Sequence, residues 1–208
     1  MRYASFLLAT ALAGASHGAS AATDSYHIDP VHSQVVFNVE HNGFSRSFGR
    51  LHISDGTIRF DPDDWSKSSV YATIDLASID MGDAAWNQAV SGASLLDVGH
   101  ARTAHYTSAS VEKRSDDEGV VHGTFTLRGI SHPLDLPFRV NRVGKTIYGM
   151  HTVAGFSANV LLDRTAYGMT SNKNSVGTGV NVWLEIEAIR GSGNTTTPDK
   201  ETPDAAAK

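Results

Sequence analysis

The chain has 208 residues, no cysteine and a formal net charge of −5, and 40% of its residues are hydrophobic. This length and composition predict one globular domain with a substantial core. The negative charge and the absence of a basic run argue against a nucleic-acid ligand. The lack of cysteine excludes disulfides, thiolate metal ligands and cysteine nucleophiles.

The first 21 residues have the pattern of a secretory signal peptide. Arg2 supplies a positive charge, residues 6–15 form a short apolar run, and residues 19–21 (ASA) form a small-residue cleavage pattern. The apolar run is too short to span a bilayer comfortably. We therefore predict a signal peptide at 1–21, with a disordered tail or a retained anchor as the alternatives.

The first part of the remaining chain has the two-residue period of half-buried strands. Residues 29–41 are rich in valine and aromatic residues and predict one strand. Apolar and polar residues also alternate over 50–54 and again over 57–60. Asp55-Gly56 lies between these two stretches and is a tight-turn signal. The pattern therefore predicts a hairpin there.

The rest of the chain continues this pattern with one interruption. Residues 69–79 alternate as a strand, whereas residues 82–98 lose the two-residue period and suit one or two short helices. A helical turn is predicted at 163–169. Further strands are predicted at His105–Val111, Val120–Arg128, Leu134–Val140, Ile147–Leu162 and Val180–Ile189.

The predicted elements amount to about eight strands with mostly short connections, which favours antiparallel neighbours. Such strands could close into a barrel wide enough for one small ligand, or form a sandwich. The alternation alone does not decide between them. Residues 22–190 are predicted to form this domain. Residues 191–208 are rich in glycine, serine, threonine, proline and charge, and predict a disordered tail.

No catalytic or metal-binding motif stands out. Metal ligands on a strand favour a separation of two residues, and those on a helix favour four. The closest histidine pairs, His27/His32 and His100/His105, are five residues apart. The sequence has no nucleophile elbow, phosphate loop or dinucleotide fingerprint. We therefore predict no catalytic residue, no metal and no cofactor, with a metal site assembled from distant strands as the alternative.

Residues 163–169 (DRTAYGM) combine a charge pair with an aromatic residue after a long apolar strand. We expect Arg164 to pair with Asp163 or with another carboxylate inside the fold. The segment is interpreted as a structural latch at one end of the barrel, since buried charges need partners. The alternative is a polar anchor for a ligand head group.

Four segments in order resemble the signatures of the YceI-like family. They are residues 26–49, which open with YHIDPVHS, residues 69–82 (SVYATIDLASIDMG), residues 123–137 (GTFTLRGISHPLDLP) and residues 155–169 (GFSANVLLDRTAYGM). The resemblance covers roughly Tyr26 to Arg190. It implies an all-β fold, an eight-stranded antiparallel lipocalin-like barrel with short helices and a hydrophobic channel.

The resemblance also implies a function. Family members are periplasmic, bind polyisoprenoids or related lipids and are often dimeric, so we expect a periplasmic carrier that contacts a membrane transiently. The chain departs from the family pattern after the second signature. An arginine, a His-Leu pair and a Phe-Phe-Asp are replaced by residues 86–90 (WNQAV) and 95–97 (LLD). Trp86 is expected to fill the volume of the missing arginine.

The leading hypothesis is a non-enzymatic barrel that holds a polyisoprenoid, an isoprenoid quinone or another lipid as its bound ligand. The alternatives are a lipid-modifying or metal-binding enzyme that uses cavity histidines, and a structural or stress-response protein with a filled core. The predicted apolar contacts are Phe37, Val39, Val70, Ile74, Leu95, Leu96, Phe125, Leu127, Phe156, Val180 and Val182. His41, Arg164 and Tyr167 are predicted at a polar end.

Overall fold

The computed structural model describes residues 23–191. Its strands are β1 (Asp24–Ile28), β2 (Gln34–His41), β3 (Ser45–Phe60), β4 (Ser69–Asp80), β5 (Thr103–Lys113), β6 (Glu118–Leu127), β7 (Ile130–Lys145), β8 (Thr152–Asp163) and β9 (Val176–Arg190). One helix, α1, is Ala84–Ser91, and two 3₁₀ helices are Trp65–Lys67 and Arg164–Tyr167. The predicted signal peptide, and all but the first residue of the predicted tail, lie outside the described residues.

The strands β2 to β9 close into an eight-stranded antiparallel barrel. Each of them pairs with its neighbour along the chain, and β2 pairs with β9 to complete the ring. The predicted barrel is confirmed, and the sandwich alternative is wrong. Ring closure leaves no long unpaired edge, because every ring strand has two partners.

A turn divides the segment that was predicted as one strand at 29–41. The short strand β1, which was not predicted, pairs with β3 and β9 at the end of the barrel beyond the start of β2. The Asp29 carboxylate accepts a hydrogen bond from the Val31 backbone N–H at 2.9 Å and lies 2.7 Å from His32 Nδ1. Such local bonds from an aspartate stabilise a turn at the expense of a strand.

The hairpin predicted at Asp55-Gly56 is wrong, since β3 runs through both residues and pairs them with Thr73 and Ala72 of β4. The register shifts between Ile53 and Asp55, as in a β-bulge. This extra residue moves the inward positions of β3 from odd to even numbers. The two alternating stretches therefore belong to one bulged strand.

The strand predicted at Ile147–Leu162 starts later, at Thr152. Gly149 and Met150, in the connection before it, have φ angles of 72° and 58°. This left-handed conformation is incompatible with a strand. The predicted helical segments at 82–98 and 163–169 are confirmed by α1 and by the second 3₁₀ helix.

The barrel has two different ends. The closed end carries the Trp65–Lys67 helix and the β5–β6 and β7–β8 connections. The mouth end carries the β2–β3 connection, α1 and the Arg164–Tyr167 helix. In residues 23–191, no helix has the length and apolar composition needed to cross a bilayer.

Candidate functional site

The interior of the barrel is hollow, with a cavity of about 450 Å³. This volume lies in the range of roughly 300–1,000 Å³ that is usual for ligand pockets. All eight ring strands contribute to the wall, mostly with aliphatic and aromatic side chains. The hollow interior contradicts the hypothesis of a structural protein with a filled core.

The structure places every predicted site residue on the cavity wall. These residues are Phe37, Val39, His41, Val70, Ile74, Leu95, Leu96, Phe125, Leu127, Phe156, Arg164, Tyr167, Val180 and Val182. Strand alternation identified this face because only one face of each strand meets the interior. Contact of these residues with a ligand stays a prediction.

Several wall residues were not predicted as site residues. Those with an alternation signal include Val35, Leu51, Ile58, Leu134, Leu136, Phe138, Leu184 and Ile186. Ser47 also lies on the wall. Nothing in its polar sequence surroundings indicated this, because serine carries no inward preference.

Aromatic rings form the floor of the cavity at the closed end. Phe60 and Phe156 meet edge to face with ring centroids 5.6 Å apart, and Phe138 lies 6.2 Å from Phe156. Trp65 lies beneath them, with its ring centroid 5.6 Å from that of Phe60 and 5.4 Å from that of Phe138. Trp65 is only 4% exposed, so these packed rings separate the cavity from solvent at this end.

The mouth is covered by α1, which has no buried residue. The Asp83 carboxylate accepts hydrogen bonds from the Ala85 and Trp86 backbone N–H groups at 3.0 and 3.1 Å and caps the helix. Trp86 and Ala89 line the cavity although both are exposed. The cavity therefore reaches solvent here, and Trp86 lies at its rim instead of filling the interior.

Arg164 holds the mouth end together from inside. Its side chain is only 3% exposed. Nε donates a hydrogen bond to the Gly177 carbonyl and Nη2 donates one to the Val176 carbonyl, both at 2.8 Å. Nη1 donates a third to the Met169 carbonyl. The expected pair with Asp163 is wrong, because the Asp163 carboxylate instead accepts from the Thr165 backbone N–H at 2.8 Å. Burial lowers the pKa of Arg164, and the nearby Asp163 opposes this shift. This geometry fits the latch interpretation.

Replacing Arg164 with methionine should lower the free energy of unfolding by about 2–3 kcal/mol, because three carbonyls lose their donor. Urea denaturation measures this change. Arg50→Met is the matched control, since Arg50 is exposed and its ion pair with Asp80 lies on the surface. The control should lose less than about 1 kcal/mol. Equal losses in the two variants would contradict the latch.

The cavity wall carries few side chains that could serve acid–base catalysis. Within residues 23–191, no Asp, Glu or Lys lines it, and its one imidazole is that of His41. The Tyr106 hydroxyl lies 3.0 Å from the Val121 and Leu134 carbonyls, and burial raises the pKa values of Tyr106 and Tyr167. These phenols stay protonated at neutral pH. The wall is therefore suited to holding an apolar ligand.

The histidine with two carboxylate partners does not line the cavity. His122 Nδ1 lies 2.8 Å from Asp135 Oδ1, and Nε2 lies 3.2 Å from Glu112 Oε2. All three side chains are accessible to solvent. Hydrogen bonds to Asp135 and then Glu112 raise the pKa of His122 above its ordinary value of 6.5.

An NMR titration should accordingly find a pKa above 6.5 for His122, and Asp135→Asn should lower it. Because the pKa of His122 is raised in the folded state, protonation of His122 stabilises the fold. This contribution to stability is complete below pH 6.5. It is lost as the pH rises through the folded-state value. A pKa at or below 6.5 in the wild-type protein would contradict this ion-pair geometry.

Comparisons with known proteins show relatives along most of the chain. A UPF0312 protein of Serratia proteamaculans is 30% identical over 177 residues, which cover 84% of this chain and 91% of that protein. A UPF0312 protein of Ectopseudomonas mendocina is 29% identical over 186 residues, which cover 88% and 97% of the two chains.

Solved structures share the fold at lower identity. BcnA of Burkholderia cenocepacia superimposes with a TM-score of 0.70 at 21% identity, covering 77% of this chain and 98% of that chain. A polyisoprenoid binding domain from Saccharophagus degradans superimposes with a TM-score of 0.60 at 14% identity, covering 82% and 100%.

The profile of the YceI-like domain matches residues 26–188. This range begins within β1 and ends within β9, so it includes nearly all of the ring and every residue that lines the cavity. The chain therefore belongs to the YceI-like family.

Proposed function

We propose that the protein is a non-enzymatic periplasmic carrier that holds one long apolar lipid, a polyisoprenoid or an isoprenoid quinone, inside its barrel. The observation that carries this proposal is the cavity of about 450 Å³, whose wall is almost entirely apolar. Water gains few hydrogen bonds on such a wall, so an apolar chain can replace it favourably.

The physical driving force requires a long ligand. Each buried methylene contributes about 0.8 kcal/mol, so about fifteen buried groups contribute about 12 kcal/mol. Association costs about 4–15 kcal/mol in lost rigid-body freedom, to which ordering of the chain adds. A short apolar molecule would therefore bind weakly, whereas a chain of several isoprene units would bind well.

Two further observations support the class of ligand and the location. The Saccharophagus degradans domain that shares this fold is described as polyisoprenoid binding. The signal-peptide pattern at residues 1–21 supports export to the periplasm. The homodimer and the transient membrane contact expected from the resemblance stay predictions.

Native mass spectrometry of the purified protein, together with organic extraction, tests the proposal. We expect one lipid per barrel, with a mass that corresponds to an isoprenoid chain, or uptake of an added polyprenyl compound by the delipidated protein. A protein that carries no lipid and takes up neither polyprenyl nor other long-chain compounds would overturn the carrier function.

A further inference from the structure

One hydroxyl on the cavity wall lacks a partner. Ser47 of β3 is 8% exposed, and among residues 23–191 its Oγ has no hydrogen-bond partner. Two other wall serines differ: Ser68 Oγ accepts from the Asp61 backbone N–H at 3.1 Å, and Ser157 Oγ donates to Glu185 at 2.6 Å. A buried hydroxyl without a partner is costly. A ligand atom that accepts its hydrogen bond would remove that cost.

Ser47 lies at the mouth, next to other groups that can contact a polar ligand end. In the β2–β3 register Val39 is opposite Ser47, and His41 is two residues further along the same face of β2. Diagonal neighbours of this kind on antiparallel strands are within reach of long side chains. His41 in turn contacts Trp86 of α1 with ring centroids 5.7 Å apart. Ser47, His41 and Trp86 therefore border one region beneath the lid helix.

The electrostatics of this region favour an oxygen acceptor. Val176 pairs with His41 across the β2–β9 register, and the Val176 carbonyl accepts from the buried guanidinium of Arg164. Among residues 23–191 the wall carries two guanidinium groups, this buried one at the mouth and the exposed Arg59 at the closed end, and no carboxylate. A carbonyl or carboxylate oxygen would thus meet a donor and a positive charge, whereas an ammonium group would be repelled.

We propose that the Ser47 hydroxyl donates a hydrogen bond to a carbonyl or carboxylate oxygen of the lipid head group, which His41 and Trp86 enclose at the mouth. The apolar chain then extends towards the phenylalanine floor at the closed end. This inference rests on the proposed carrier function and deepens it, because it fixes the direction of the lipid and the chemistry of its head group.

Binding of chain-matched probes to Ser47→Ala tests the proposal. The probes are hexadecane, hexadecanoic acid, a methyl ketone of the same chain length and hexadecylamine, each measured by displacement of an apolar fluorophore. Ser110→Ala is the matched control, because Ser110 of β5 is exposed and does not line the cavity. The acid and the ketone distinguish the carboxylate from the neutral carbonyl as the accepted head group.

We expect Ser47→Ala to weaken binding of the ketone or the acid about 3- to 10-fold, the loss typical of one hydrogen bond. Hexadecane should bind unchanged or more tightly, and the amine should bind the wild-type protein most weakly. Ser110→Ala should change none of these affinities. The ligand-free Ser47→Ala protein should melt at a higher temperature than wild type, since it no longer buries an unpaired hydroxyl.

Two results would overturn the proposal while leaving the carrier function intact. In one, Ser47→Ala changes the affinities of hexadecane, acid and ketone equally. In the other, Ser110→Ala weakens binding of the ketone and the acid as much as Ser47→Ala does, so the loss would not come from the cavity hydroxyl. If no long-chain probe displaces the fluorophore from wild type, the carrier function itself fails and the head-group site with it.

Discussion

Replacing Leu162 with tryptophan should weaken binding of a long-chain lipid by about 50-fold. Leu162 lies on the cavity wall in the mouth half of β8, and its partner on β9 is Val180, also a wall residue. An indole at this position would occupy the volume of about three methylene groups. At about 0.8 kcal/mol each, their loss amounts to about 2.4 kcal/mol, or about 50-fold in the dissociation constant. Titration with a fluorescent fatty acid or a polyprenyl probe measures the change.

The adjacent residue supplies a closely matched control. Leu161 is 65% exposed and faces outwards, because successive side chains of a strand point to opposite faces. Leu161→Trp therefore makes the same chemical change on the other side of the barrel wall. It should leave lipid affinity within about twofold of wild type. If both variants lost affinity equally, or if neither did, the ligand would not occupy the barrel interior.

Leu162→Trp should also leave the fold intact. Overpacking destabilises a filled core by about 1–3 kcal/mol, but here the new side chain enters a space that is already open. We therefore expect the thermal midpoint of the ligand-free variant to stay close to wild type. This separates a blocked cavity from a misfolded protein, because only misfolding would lower both affinity and midpoint.

The alternation of residues was sufficient to find the ring strands, apart from the division of β3, and part of the wall. Residues 134–138 show why: Leu134, Leu136 and Phe138 line the cavity, whereas Asp135 on the opposite face reaches His122 outside. Each strand of such a barrel has one face towards the interior and one towards water, which gives the pattern its strength. The predicted site residues came from this kind of local signal or from the family signatures, except Leu95 and Leu96, which came from the stretch that departs from the family pattern.

The features that the sequence did not reveal depend on register between strands. The bulge in β3 changes which residues face inwards, yet its Asp55-Gly56 signal is shared with hairpin turns. Ser47 acquires its importance only because β2 lies alongside and α1 covers the mouth. Neither relation is encoded in the few residues around Ser47, so local pattern could not identify it.

Replacing Trp65 with alanine should lower the free energy of unfolding by about 3–5 kcal/mol. The indole is buried between Phe60 and Phe138, and Lys113 Nζ lies 5.3 Å from the centre of its ring. The site is also tightly packed, since a Cβ at Gly119 would lie 2.8 Å from the Trp65 ring. Loss of the ring would leave a void that these neighbours can fill only in part. Urea denaturation and the thermal midpoint, which should fall by about 10 °C, measure this change.

Trp183→Ala provides the comparison for this variant, because Trp183 stacks on Phe48 on the outer wall and is 38% exposed. This substitution should lower the free energy of unfolding by about 1 kcal/mol, since the void it leaves is open to solvent.

Trp65→Ala should also change the preference of the protein for ligand chain length. Without Trp65 the Phe60 and Phe138 rings lose their support and the floor can recede, so the longest chain that binds should become longer. If Trp65→Ala lowered stability no more than Trp183→Ala, the stability of the closed end would not depend on the aromatic floor. Other residues would then have to limit the length of the cavity.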